Sequence, residues 1–317
     1  MASTVEMVVA EEEAGRRLDV FLVHRVPGVG RAAARRLVAE GKVRVNGRRA
    51  KKGEPVRAGD RVWLEQVPAV ASFPAEPDPA LPLRVCHEDA RLVVVDKGAG
   101  VPSHPLRPGE RGTVANALVA RYPEMAAVGY GPREPGLVHR LDTGTSGLLV
   151  AARDARAFDE LREALRAGGF DKRYVALCAG RLGAPRLVDF PIASARRNRR
   201  RVMVCPDPAE AARLDARPAE TEVLEARPVG RNTLVTVRAR TARRHQVRAH
   251  LAALGHPLVG DALYGGPALP GLARHFLHAS YLRFPHPDGG EVRVEAPLPA
   301  DLQGILDNDE TRHNSRS

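Results

Sequence analysis

The sequence predicts an α+β fold: a mixed, largely antiparallel sheet domain with a central cleft, preceded by a small helix-helix-sheet domain. Candidate strands and helices do not alternate in βαβ fashion, which argues against a doubly wound parallel sheet. Pro68, Pro74, Pro77, Pro79 and Pro82 fall within residues 67–82, a semi-rigid linker by composition and the clearest boundary in the chain. Ahead of it, residues 14–66 hold fourteen Lys and Arg against five Asp and Glu, so nine of the eleven net positive charges sit in one segment. The length, 317 residues, accommodates one large domain and one small one.

The small domain is expected over residues 14–66. Leu18, Phe21 and Leu22 recur at helical spacing after Arg16 and Arg17. A second helix is expected over Arg31 to Glu40, with Leu37 and Val38 inward, Arg31, Arg35 and Arg36 outward, and Gly41 as its stop. Lys42-Val43-Arg44-Val45-Asn46 alternates as a strand does, and Asn46-Gly47 is a hairpin turn signal. Gly59-Asp60 marks a second turn between Val56 and Val62.

The large domain is expected over residues 83–302. Its strand candidates are Arg91 to Asp96, Gly147 to Ala152, Arg173 to Ala179, Asn232 to Arg240 and Glu291 to Glu295. A helix from Ala155 to Ala167 shows Phe158, Leu161 and Leu165 on one face, with Asp154 as N-cap and Gly168 as stop. A second, from Arg243 to Leu254, turns Val247, Leu251 and Leu254 inward and would put Arg244 and Arg248 on one face. The polar residues 303–317 read as a disordered tail.

Composition narrows the class. Charge of +11 suggests a polyanionic partner, and its concentration in one segment favours that over a general Arg bias. Aromatics are only 4%, too few for long base-stacking platforms. Cys86, Cys178 and Cys205 lie far apart, which argues against a zinc ribbon or a disulfide framework. The start of the chain is acidic without an apolar signal core, and no run reaches membrane-spanning length. A cytoplasmic protein that needs no membrane is expected.

Chemistry concentrates in two blocks. His139-Arg140-Leu141-Asp142-Thr143-Gly144-Thr145-Ser146-Gly147 sets a carboxylate in a Gly/Thr/Ser loop beside an arginine, where backbone can approach a ligand closely. Taken alone, Asp-Thr-Gly reads as a turn that caps its own backbone, and an aspartic protease would need a second copy. The other block, Thr241 to Asp261, carries Arg243, Arg244, His245 and Arg248, a cationic surface able to pair with a carboxylate or phosphates. His245, His250, His256, His275 and His278 cluster, but without H-E-x-x-H or cysteines at ligand spacing they read as loop or capping residues, and no metal is expected. His275 and His278, three apart, could share a helix face. No phosphate-binding glycine loop is present, so no nucleotide cofactor is expected. Arg196, Arg197, Arg199, Arg200 and Arg201 form the densest cationic stretch and read as a loop in contact with phosphate.

With these blocks in view, the chain resembles the large-ribosomal-subunit pseudouridine synthases of the Rlu type over residues 14–300. His139-Arg140-Leu141-Asp142 with Thr145-Ser146-Gly147, Lys172-Arg173-Tyr174-Val175-Ala176, His245-Gln246-Val247-Arg248 with His250-Leu251, and Gly255-His256-Pro257 with Gly260-Asp261 and Tyr264-Gly265 carry the resemblance in order. Residues 14–66 resemble the RNA-binding domain named after small-subunit ribosomal protein four, through Gly15-Arg16-Arg17-Leu18-Asp19, Gly41 to Gly47 and Gly59-Asp60. Three departures stand out: Lys97-Gly98 for Lys-Pro, Thr241-Ala242-Arg243-Arg244 for Thr-Gly-Arg-Thr, and Gly30-Arg31 for Ser-Arg.

The resemblance implies isomerisation of uridines to pseudouridine in structured RNA without cofactor or metal, by a protein expected to be a monomer. Ribosomal RNA is expected ahead of transfer RNA. It implies Asp142 as catalytic carboxylate, Arg248 as the cation that keeps it ionised, and Tyr174 stacked on the detached base. RNA would be held by Arg140, His139, Arg243, Arg31, Arg35, Arg36, Lys42, Arg44, Arg199 and Arg200. A non-catalytic RNA-binding or ribosome-assembly factor on the same fold is the alternative. A nucleosidase would release free uracil and leave the basic segment unexplained.

Overall fold

The sheet of the N-terminal unit begins outside the expected domain. β1 (Val5–Val8) pairs antiparallel with Arg61–Leu64, and Met7 and Val9 join the core. The domain therefore starts ahead of residue 14; a four-residue strand containing Glu6 alternates too briefly to be read. The computed structural model describes residues 4–26, 29, 31–65, 73–195 and 200–314.

The two expected helices follow as α1 (Leu18–Arg25) and α2 (Arg31–Ala39). Leu18, Phe21, Leu22 and Leu37 pack under the sheet. β2 (Val43–Val45) buries both valines and exposes Arg44, the period-two pattern of a half-covered strand. Asn46 and Gly47, both at positive φ, turn it into β3 (Arg48–Arg49). β4 (Arg61–Leu64) lies between β1 and β2. This unit spans Met1–Phe73, and the second spans Pro74–Ser317.

The second unit thus begins earlier than residue 83. Ala75 is buried and its N–H donates to Pro132 O at 2.8 Å; Glu76 O accepts from Asn116 Nδ2 at 2.7 Å. The Asp78 carboxylate accepts from Gly112 N at 3.0 Å. Prolines suit this strap because it needs few backbone donors. The part of the linker at 67–72 lies outside the described residues.

A nine-stranded sheet organises the second unit. Its first half is the antiparallel run β5 (Arg84–Glu88), β6 (Leu92–Lys97) and β7 (Ser146–Ala152), with α3 (Val114–Arg121) between β6 and β7 in sequence. α4 (Ala155–Arg166), capped by Asp154 as expected, leads into β8 (Asp171–Cys178). β9 (Arg186–Val188) precedes a separate ribbon of β10 (Ile192–Ser194) and β11 (Val202–Val204). α5 (Pro208–Leu214), β12 (Thr221–Val229), β13 (Asn232–Ala239) and α6 (Gln246–Ala253) follow. β14 (Leu277–Pro285) and β15 (Glu291–Glu295) form the last hairpin, and α7 (Ala300–Asn314) closes the chain.

The spatial order is β5-β6-β7-β14-β8-β13-β12-β9, with β15 also on β14. All pairs are antiparallel except β7 with β14, which run parallel through His278 beside Ser146 and Ala279 beside Gly147. All seven residues of β7 are buried, as a strand covered on both faces must be. Phe158, Leu161 and Leu165 of α4 cover one face with Leu148 and Val150, and Leu118 of α3 covers the other with Leu149 and Ala151. Each such side chain contributes roughly 1.5–3 kcal/mol on full burial.

Three sequence expectations give way here. Residues 303–314 are helical: Leu302 and Leu306, four apart, pack on Leu177, Val229 and Phe276. The helix expected from Arg243 begins at Gln246, because Gln246 Oε1 accepts from Thr241 Oγ1 and Arg243 N and pins those residues as a loop. Arg244 therefore does not share a helix face with Arg248; its Nη2 donates to Arg201 O. His275 and His278 share no helix either, since β14 starts at Leu277.

Candidate active site

Asp142 lies on the loop that feeds β7, and buried polar groups hold that loop. The Lys97 ammonium donates to Gly98 O, Val101 O and Thr143 O at 2.8–3.2 Å. Ser103 Oγ donates to Leu141 O and accepts from Leu141 N. Gly147 at the loop's end approaches Ala279 so closely that a β-carbon would lie 2.2 Å from its carbonyl oxygen, so only glycine fits. The Lys97-Gly98 departure leaves this clamp complete, because the lysine does the tying. Burial pushes the Lys97 ammonium down to about 7, against the opposing pull of Asp142.

Arg248 projects from α6 and spends three nitrogens on two carboxylates. Nε and Nη2 donate to Asp261 at 2.7 and 2.8 Å, and Nη1 donates to Asp142 Oδ2 at 2.8 Å. Burial disfavours the guanidinium charge, but the Asp261 hydrogen bonds and the Asp142 charge outweigh it and raise the pKa. Burial likewise opposes ionisation of Asp261, and Arg248 holds it below the usual carboxylate range. An arginine with both partners in place stays charged in a water-poor site.

Tyr174 rises from β8 into the same space. It pairs with Ala279 across β14, the residue that meets Gly147 on β7. Burial, with the Asp142 charge adding, pushes its hydroxyl pKa up. Asp142, Tyr174 and Arg248 line one cleft of about 1050 Å³. That is the upper end of small-ligand pockets, with room for a nucleoside and flanking backbone. Its lining carries eight Lys and Arg against three Asp and Glu, a balance that favours a polyanion.

The other predicted contacts are placed unevenly. Arg140, Arg200 and Arg243 line the cleft and are exposed. His139 is buried, and its Nε2 accepts from Val150 N at 3.3 Å. Burial, with Lys172 adding, pushes the ring down to about 3, so it lines the cleft as a buried, neutral ring. In the first unit Arg35 pairs with Asp19, Arg36 with Glu40, Lys42 with Glu40 and Arg44 with Glu65. The pairs to Glu40 and Glu65 are surface pairs worth about 0–1 kcal/mol each, which phosphates can displace, whereas Asp19 is buried. The Arg31 side chain and Arg199 lie outside the described residues, as do Arg196 and Arg197.

Sequence reasoning missed Asp261 and Lys97 as parts of the site. A buried arginine needs a second carboxylate, but nothing local says which one. Three of the clustered histidines are buried and hydrogen-bonded: His250 between Thr221 Oγ1 and Phe190 O, His278 with Ser146 Oγ, and His275 with Thr145 Oγ1. Among the described residues no three His, Cys, Asp or Glu side chains could hold a metal ion, and no helix is long and apolar enough to cross a membrane.

Comparison with known proteins accords with this geometry. The family described as RNA pseudouridylate synthase matches residues 91–253, and the S4 domain matches residues 16–62. An uncharacterized RNA pseudouridine synthase of Chloroflexus aurantiacus is 41% identical over 95% of this chain and 92% of its own. Ribosomal large subunit pseudouridine synthase D of Xanthomonas campestris is 35% identical over 96% of this chain and 92% of its own. The solved structure of human RNA pseudouridylate synthase domain containing 1 is similar at a TM-score of 0.54 and 26% identity, covering 73% of this chain and 90% of that one. The chain belongs to the RNA pseudouridine synthase family, with an S4 domain ahead of the catalytic domain.

Proposed function

We propose that this chain converts specific uridines of large-subunit ribosomal RNA to pseudouridine, with Asp142 as the reacting carboxylate. The observation that carries the reading is the 2.8 Å contact of Arg248 with Asp142 in a cleft that also holds Tyr174. The relatives named for the large ribosomal subunit favour that RNA over transfer RNA.

In the reaction the C1′–N1 bond breaks and a C1′–C5 bond forms. The C5 proton leaves, N1 gains one, and no electrons are exchanged with any other molecule. Asp142 either attacks C1′ or stabilises positive charge there, and both roles need it ionised. Arg248 supplies the opposing charge. Burial keeps the Tyr174 hydroxyl protonated, and its ring, in the same cleft, stacks on the detached uracil. The target must leave its stack first. Arg140 fills the gap, and the S4 domain and Arg200 hold backbone.

Pseudouridine mapping in ribosomal and transfer RNA, from cells with and without the protein, tests the target. Loss of sites in large-subunit RNA is expected; loss confined to transfer RNA would overturn the assignment. Asp142→Asn should bind RNA and form no product, and turnover at the normal rate would remove Asp142 from its role.

A further inference from the structure

His245 occupies a place its neighbours do not explain. It stands at the N-cap of α6 with φ of 56°, the left-handed region that non-glycine residues adopt only at a cost. An N-cap side chain ordinarily accepts a hydrogen bond from the first turn, and this one accepts none. The ring instead faces the cleft. Nδ1 is 3.0 Å from the Tyr264 hydroxyl, and Nε2 is 3.8 Å from Asp142 Oδ1.

The Tyr264 oxygen accepts from Val202 N at 3.0 Å, and its own proton is available to donate to Nδ1. The rings meet edge to face at 5.8 Å, so the geometry is packed as well as bonded. Burial, with Arg248 and Arg244 adding, lowers the pKa of His245 against Asp142 and Asp261, so the ring is neutral. When Nδ1 accepts from Tyr264, the one N–H of the neutral ring is at Nε2, facing the carboxylate.

Arg248 occupies Oδ2 of Asp142, and among the described residues nothing donates to Oδ1. We propose that His245 is a positioning residue, a second donor that closes on Oδ1 of Asp142 when RNA fills the cleft, with Tyr264 fixing which nitrogen carries the proton. The gap is about 1 Å longer than a charge-assisted bond. Active-site bonds in unliganded enzymes are commonly long and tighten with substrate. With both oxygens addressed, the carboxylate could not rotate about its Cβ–Cγ bond, and one oxygen would always face the sugar. This rests on Asp142 being the reacting carboxylate.

The test uses the full chain and an unmodified large-subunit ribosomal RNA transcript tritiated at uridine C5. Release of tritium is followed under single turnover, and RNA binding is measured separately. His245→Gly removes the donor and relaxes the backbone, so strain cannot account for its effect. It should slow release roughly tenfold or more, about 1.4 kcal/mol or more of barrier, with RNA affinity within about twofold. His245→Gln, which restores an N–H of similar reach, should recover most of the rate. Tyr264→Phe should slow the parent chain and add nothing to His245→Gly. A His245→Gly rate equal to the parent's, no recovery with Gln, or a full additional loss from Tyr264→Phe would each overturn the proposal. If the parent chain releases no tritium from this transcript, the target assignment fails. If it releases tritium and Asp142→Asn does too, the role of Asp142 fails, and His245 with it.

Discussion

Arg248 and Asp261 face each other fork to fork, Nε 2.7 Å from Oδ2 and Nη2 2.8 Å from Oδ1. The pair leaves Nη1 aimed at Asp142, so Asp261 decides where the guanidinium points.

Asp261→Ala should therefore leave the buried guanidinium with Asp142 as its remaining carboxylate. It is expected to destabilise the protein, read as a lower urea midpoint, by less than the roughly 3–5 kcal/mol of a fully unpaired buried charge. Arg248→Lys should fold better than Asp261→Ala yet lose roughly a hundredfold in rate, because a point charge cannot span both carboxylates. A lysine variant of normal rate would show that the fork geometry is dispensable.

Tyr174 should tolerate loss of its hydroxyl better than loss of its ring. Tyr174→Phe keeps a stacking face, worth about 1–3 kcal/mol per base, and Tyr174→Leu does not. Single-turnover rates of the two should differ about tenfold or more. Equal losses would assign the work to the hydroxyl.

Acid should weaken the fold through its buried histidines. His139 is held down to about 3 and His275 to about 4, burial being the first cause in both. The unfolded rings titrate near their ordinary value, about 6.5. Between those limits the unfolded chain binds more protons, so stability is full above about pH 6.5 and falls as pH drops towards 4 and then 3. The slope approaches ~1.4 kcal/mol per pH unit for each ring. Urea unfolding between pH 7 and 5 checks this, and His139→Gln should flatten it. A flat parent curve would mean the rings protonate in place.

Much of this was legible in the sequence. Asp154, Gly168 and the Phe158–Leu161–Leu165 face marked α4 because local capping and periodicity specify it. Asp142, Tyr174 and Arg248 were legible only as a family pattern, because they lie on a loop, a strand and a helix that meet through the sheet. Illegible was what tertiary structure alone decides: the Gln246 side chain that shortens α6, the strap at 74–82, and the pairing of Asp261 with Arg248.

Removing residues 1–73 should separate binding from chemistry. The first unit carries fourteen Lys and Arg against nine Asp and Glu, and each phosphate that is no longer neutralised lowers the slope of log affinity against log salt by about 0.7–0.9. The truncated chain should bind RNA more weakly and with a shallower slope. An unchanged slope would place the electrostatic binding wholly in the second unit.

The parallel pairing of β7 with β14 is where two antiparallel half-sheets are stitched together. The carboxylate hangs from one half, and the aromatic ring and the guanidinium from the other. A side chain in place of Gly147 would press on Ala279 at that stitch, where the register between carboxylate and ring is set.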